Sequence, residues 1–411
     1  MAGSLRCRLL LAVVVLHTAP NVAMSAIIGH SRNPIRAFSL PASASTFNSQ
    51  DQKPLKADVG FATFRLNQPL AYDLAYTINV GVGTPPQRLE LKVDISSSIT
   101  YVKDATLSDQ RHCKNDHFFS GQTSGTFRTN NTRHEAWFQN DFVEVSGIAA
   151  VDTFDLGRLH IPGQGFLDAD HERFNGIGWD DYCGMDGIIG LSNSNVSSAL
   201  GFLGPLLNLI ENESLDMALF GLRLREPAEL SLGRVNQDLF RGDFTRVPLQ
   251  EGDKQDDSLG QNGPWQTSID YIMAGSDPAL HYVLGGERTY FTTTSAFSYI
   301  PDMVFEDLIM NSLGFEDMPF LPPSIDCGQR ALLPDLTFNL ANRNLTISPY
   351  DYTLEWLIPD ESVRCVTAIL PNGELQGGKP EVVLGSAFLR GFYTVFDLDS
   401  QTIGFAPLSI L

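Results

Sequence analysis

Apolar and polar positions alternate with a period of two along much of the chain, most clearly over residues 76–98. Ile78, Val80 and Val82, then Leu89, Leu91 and Val93, fall on one face each, and Gly83-Thr84-Pro85-Pro86 separates the two runs. This predicts a hairpin whose second strand closes on Asp94-Ile95-Ser96-Ser97-Ser98. A carboxylate at the end of an apolar strand, followed by small hydroxyl residues able to donate to it, is a candidate catalytic acid. The same Asp could equally cap a turn.

Further along, strands are expected at 136–142, through 154–161, at 228–233, 244–249 and 265–272, with loops over 107–135 and 251–263. Helices are expected only over 200–210 and 302–313. Two segments pair apolar residues with glycine: Met185-Asp186-Gly187-Ile188-Ile189-Gly190-Leu191 and Glu381-Val382-Val383-Leu384-Gly385-Ser386. Such a segment suits a buried strand approached closely by another backbone. Gly190 lies 96 residues after Asp94, and Gly385 lies 93 after Thr292 in the second hydroxyl-rich stretch, Thr292-Thr293-Thr294-Ser295. The near-equal spacing predicts two related lobes, divided near Glu226, as 71–226 and 227–411.

Length and composition agree with a β-rich, two-lobed chain: 411 residues, with 35 Gly, 23 Pro and 26 Phe spread along them. Acidic residues outnumber basic ones 48 to 28, a net charge of −20, which argues against nucleic acid or an anionic membrane as partner. Residues 1–25 read as a secretory signal: Arg6 and Arg8, an apolar core too short to span a bilayer, and Ala23-Met24-Ser25 as cleavage site. Residues 26–70 are polar and irregular, a pro-segment or disordered arm, with the folded body expected from Ala71. No lipid-anchor tail is legible, and a secreted or vacuolar monomer without membrane anchor is expected.

With Cys7 in the signal, Cys113, Cys183, Cys327 and Cys365 remain. An even count in a secreted chain predicts two disulfides, the simplest of three connectivities being Cys113 with Cys183 and Cys327 with Cys365. Asn130, Asn195, Asn212 and Asn344 head glycosylation sequons. No metal-ligand spacing or phosphate-binding glycine loop appears, so neither metal nor cofactor is expected.

In order and spacing, several stretches resemble the pepsin-like aspartic peptidases, the secreted fungal type in particular. These are Val82-Gly-Thr-Pro-Pro-Gln87, Asp186-Gly-Ile-Ile-Gly-Leu191, Glu229-Leu-Ser-Leu-Gly233, Leu333-Pro-Asp-Leu-Thr-Phe338 and Val383-Leu-Gly-Ser-Ala-Phe388. The resemblance covers most of 71–411. It implies an all-β, bilobal fold with two β lobes flanking a peptide-binding cleft. It also implies one Asp-Thr-Gly-Ser/Thr loop per lobe, whose two carboxylates, about 3 Å apart, share one proton and activate a water.

Four departures stand out against that pattern. Asp94 takes the first catalytic position, with Ile95 for the usual Thr, Ser96 for the Gly, and Ser97 retaining a hydroxyl able to bond the carboxylate. The second position is Thr292, with Thr294 and Ser295 behind it, and no Asp or Glu lies between Glu287 and Asp302 to restore the acid by a small shift of register. The hairpin that closes over substrate would contain Trp137, Phe138 and Phe142 but lacks the family's tyrosine and glycines, and Tyr101 stands where the family carries Trp.

A threonine hydroxyl does not titrate usefully, so Asp94 loses its like-charged neighbour and is expected to be a plain carboxylate near neutrality. General acid and general base each contribute roughly 10²- to 10⁴-fold, so loss of one partner leaves little proteolysis. Three readings compete: a secreted pseudoenzyme that binds a peptide or protein in its cleft, a repurposed enzyme in which Asp94 acts as acid or base on a small molecule, and a weak or unusual endopeptidase.

Overall fold

The computed structural model describes residues 60–67, 75–109, 117–138, 143–174, 185–193, 201–250, 265–318, 321–358, 362–373 and 382–409. The signal, most of the 26–70 arm, Cys113, Cys183, Phe142 and Asn195 lie outside them.

The protein is bilobal and almost entirely β. The first lobe is a seven-stranded sheet in the order Thr77–Val82, Gln87–Asp94, Gly187–Gly190, Tyr101–Lys103, Leu159–Phe174, Val143–Leu156, Arg128–Phe138. The second is a seven-stranded sheet in the order Arg343–Ile347, Leu336–Leu340, Gln266–Ala274, His281–Phe291, Val382–Leu384, Ser298–Ile300, Ile369–Pro371. A smaller four-stranded sheet carries the Cys327–Cys365 disulfide, with Cα atoms 5.0 Å apart.

The predicted relation between the lobes appears in their strand pairings. In the first, Gln87–Asp94 runs parallel to Gly187–Gly190, which is antiparallel to Tyr101–Lys103, which is parallel to Leu159–Phe174. In the second, His281–Phe291, Val382–Leu384, Ser298–Ile300 and Ile369–Pro371 repeat the sequence parallel, antiparallel, parallel. The glycine of each apolar strand is required by this packing. A Cβ on Gly190 would lie 2.5 Å from the Ser97 carbonyl oxygen, and one on Gly385 would lie 2.2 Å from that of Phe297. In each lobe the functional loop therefore passes directly over a strand that only glycine allows it to approach.

A six-stranded sheet built from both halves joins the lobes: Ala62–Arg65, Glu229–Leu232, Leu219–Arg223, Phe392–Asp397, Thr402–Pro407, Thr245–Pro248. Trp265 anchors it to the site above. Fully buried, it packs edge-on against Phe220 and Phe396, and its indole N–H donates to the Leu191 carbonyl at 3.1 Å.

Two expectations require correction. Ala62–Arg65 pairs antiparallel with Glu229–Leu232, so the folded body begins before Ala71 and the arm's last residues belong to the joining sheet. The loop expected over 107–135 contains the first part of the strand Arg128–Phe138, which pairs with Val143–Leu156. Its residues 128–133 are exposed, so no apolar face betrays the strand in sequence. Of the expected helices, the first is shorter than its pattern and the second fills its own to within a residue. One spans Pro205–Glu211; the other is a single turn, Asp302–Val304, continued by a wider-wound helix over Phe305–Ser312.

Candidate active site

Asp94 ends the strand Gln87–Asp94 and is 1% exposed. Its Oδ1 accepts three hydrogen bonds: from the Ser96 amide at 2.7 Å, the Ser96 hydroxyl at 2.6 Å and the Ser97 amide at 3.2 Å. Ser96, not Ser97, supplies the hydroxyl. The Ser97 Oγ is turned instead to accept the Ile99 N–H at 3.0 Å, which holds the loop rather than the carboxylate.

Thr292 occupies the equivalent place in the second lobe. It follows His281–Phe291, its Oγ1 accepts the Thr294 N–H at 3.1 Å just as Asp94 accepts that of Ser96, and Ser295 Oγ accepts the Phe297 N–H at 3.0 Å just as Ser97 accepts that of Ile99. The two loops meet. Ser96 Oγ lies 3.3 Å from Thr292 Oγ1, which lies 2.8 Å from Thr294 Oγ1. The register inferred from sequence thus brings Asp94, Ser96, Thr292 and Thr294 into one hydrogen-bonded row.

The threonine that survives in the second loop still bridges the lobes. Thr293 Oγ1 donates to the Val93 carbonyl at 2.6 Å and accepts the Ile95 N–H at 3.3 Å. Ile95 cannot return the contact, and its side chain is packed fully in the core.

One residue at the centre escaped the sequence reading. Lys92 sits two positions before Asp94 on the same face of its strand, is 2% exposed, and donates through Nζ to the Thr294 carbonyl of the other lobe at 3.0 Å. Burial pulls its ammonium down to about 8, with Asp94 opposing the shift. Burial likewise raises the Asp94 carboxyl above its ordinary value, against the pull of the Ser96 hydroxyl and amide, Lys92 and the Ser97 amide. The Asp94 carboxyl is thus held between burial, which favours its protonated form, and Ser96, Lys92 and Ser97, which favour its ionised one. The signal was present in Leu89-Glu-Leu-Lys-Val-Asp94, where a lysine shares the i, i+2 face with the candidate acid.

Beside Lys92, Lys103 and Glu172 form a buried ion pair at 3.5 Å, and the Tyr101 hydroxyl donates to Glu172 at 2.7 Å. Tyr101 also packs on Phe138, ring centroids 5.1 Å apart. Phe138 is buried in this cluster and Trp137 is half-buried. Among the described residues, no group of three His, Cys, Asp or Glu side chains is placed to hold a metal. The sequons at Asn130, Asn212 and Asn344 are exposed.

Two lobes of repeated topology, each offering a hydroxyl-rich loop to the other above a joining sheet, define the pepsin-like class of proteins. The chain belongs to the eukaryotic aspartyl protease family, whose model matches residues 75–408. It is 28% identical over 337 residues to vacuolar protease A of Aspergillus fumigatus, covering 80% of this chain and 78% of that protein. To the vacuolar aspartic protease of Candida albicans it is 27% identical, over 82% of this chain and 75% of that protein. Mouse gastricsin is 24% identical over 83% of each. Among the described residues, no helix is long and apolar enough to cross a membrane.

Proposed function

We propose that this chain is a non-hydrolytic member of its family, a protein of the secretory pathway or vacuole that holds a peptide or protein in the cleft between its lobes. The observation that carries this reading is Thr292 standing opposite Asp94, its hydroxyl in the row that leads through Ser96 to the carboxylate. Hydrolysis by the family's route needs one carboxylate to take a proton from water while a second gives one to the peptide carbonyl. Thr292 can do neither at useful rates.

The same row supports a binding role. Ser96 donates to Asp94, so with Asp94 ionised the hydroxyls of Thr292 and Thr294 line up as donors towards it. Hydroxyls both donate and accept, a chemistry that suits the N–H and carbonyl groups of a peptide backbone. The vacuolar names of the fungal relatives support the compartment.

Purified protein incubated with casein and with a peptide library between about pH 2 and 7 is expected to show no cleavage above that of its Asp94→Asn variant. Cleavage blocked by a pepstatin-type inhibitor would overturn the proposal. A second reading, acid–base chemistry on a small molecule, draws on the Lys92–Asp94 pair, because a carboxyl and an amine with opposed shifts share one centre. Asp94→Asn separates the two: captured peptide survives the substitution, whereas small-molecule turnover does not.

A further inference from the structure

Lys92 lies beneath the centre and crosses the lobe boundary, its Nζ 3.0 Å from the Thr294 carbonyl. The charged and titratable groups facing it are Asp94 on its own strand, Tyr101 and Lys103 on Tyr101–Lys103, and Glu172 on Leu159–Phe174. Lys92, Tyr101, Lys103 and Glu172 line a cavity of about 10 Å³, room for about one water molecule. Glu172 is engaged by Lys103 and Tyr101. Asp94 is the carboxylate whose charge acts on Lys92. With Lys103 and Glu172 paired to each other, Asp94 is the carboxyl that Lys92 faces on its own strand.

Two adjacent carboxylates hold a shared proton only because both cannot ionise side by side. A buried ammonium next to them removes that constraint. We propose that Lys92 is a positioning residue that has taken over the electrostatic part of the missing acid: it ties the two loops together and keeps Asp94 an acceptor within a neutral ion pair, so that returning Asp to position 292 alone does not recreate a proton-sharing pair. The inference rests on the non-hydrolytic reading, for which it supplies the reason that reversion is not a single step.

The test follows the Asp94 carboxyl through a pH titration by ¹³C NMR, on the full chain with labelled aspartate. Lys92→Met is expected to raise the Asp94 midpoint by about one pH unit or more, a tenfold gain in proton affinity, while Lys92→Arg leaves it near the wild-type value. Thr292→Asp alone is expected to give two carboxyls that titrate low and close together. Lys92→Met combined with Thr292→Asp is expected to give two widely split midpoints, the signature of a shared proton.

An unmoved Asp94 midpoint in Lys92→Met overturns the proposal. So does a split pair in Thr292→Asp alone, an outcome that decides the matter even if Lys92→Met does not fold. Because the titration needs no substrate, cleavage of casein by the wild-type chain would overturn the non-hydrolytic reading and leave the role of Lys92 to be decided by the midpoints.

Discussion

Thr293 reaches across the lobe boundary to Val93, its hydroxyl donating to the Val93 carbonyl at 2.6 Å while accepting the Ile95 N–H at 3.3 Å. This is a one-sided bridge, since Ile95 holds the reciprocal position with no hydroxyl. Thr293→Val keeps the shape and strands a buried carbonyl and a buried N–H. It is expected to destabilise the fold by about 1–3 kcal/mol, with Thr293→Ser close to wild type, as measured by urea denaturation.

Asp168 predicts how stability follows pH. Its residue is 5% exposed, its Oδ1 has no hydrogen-bond partner, and burial together with Asp104, Asp170 and Asp152 pushes its carboxyl up to about 8. The folded chain keeps a proton that the unfolded chain releases near its ordinary value of 3.8. This contribution to stability is therefore full below the unfolded value and falls as pH rises towards about 8, at up to ~1.4 kcal/mol per pH unit. Asp168→Asn should flatten that slope, stabilising the protein at about pH 7 and changing little at about pH 4, as read from denaturation midpoints at the two pH values.

The Tyr101 hydroxyl donates to Glu172, whose side chain is only 6% exposed and also pairs with Lys103. Tyr101→Phe retains the ring packing on Phe138 but removes a donor from a buried carboxylate. A loss of about 1–3 kcal/mol in chemical denaturation is expected, with the β-sheet circular dichroism of the native state unchanged.

The disulfide between Cys327 and Cys365 closes a segment in which the two residues are 38 positions apart. Replacing both cysteines by serine is expected to cost about 2–4 kcal/mol, seen as a lower Tm in calorimetry.

Local pattern carried much of this protein. The hairpin that ends in Asp94, the two apolar-glycine strands, the repeated spacing and the alignment of Asp94 with Thr292 were all legible, because strand alternation and glycine packing are written residue by residue. The Ala62–Arg65 strand was not, since four residues in a polar arm become a strand only by pairing with Glu229–Leu232 far along the chain. The exposed half of Arg128–Phe138 was hidden for a related reason: with no buried face it leaves no periodicity to read.

At the site the division is finer. Sequence alone determined which residues enter the two loops, and that Thr292 stands in one where Asp94 stands in the other. Tertiary structure decided what those residues do. Ser96 rather than Ser97 turns its hydroxyl to Asp94, Thr293 bridges to Val93 and Ile95 with no hydroxyl at Ile95 to answer it, and Lys92 comes under the centre to meet Thr294, 202 residues away in the chain. Alternation reports only which face of its own strand a side chain occupies. Which charge or carbonyl faces it from the other lobe, and how deeply the pair is buried, is set by the packing of the lobes across their joining sheet, and that packing fixes the electrostatics of Asp94.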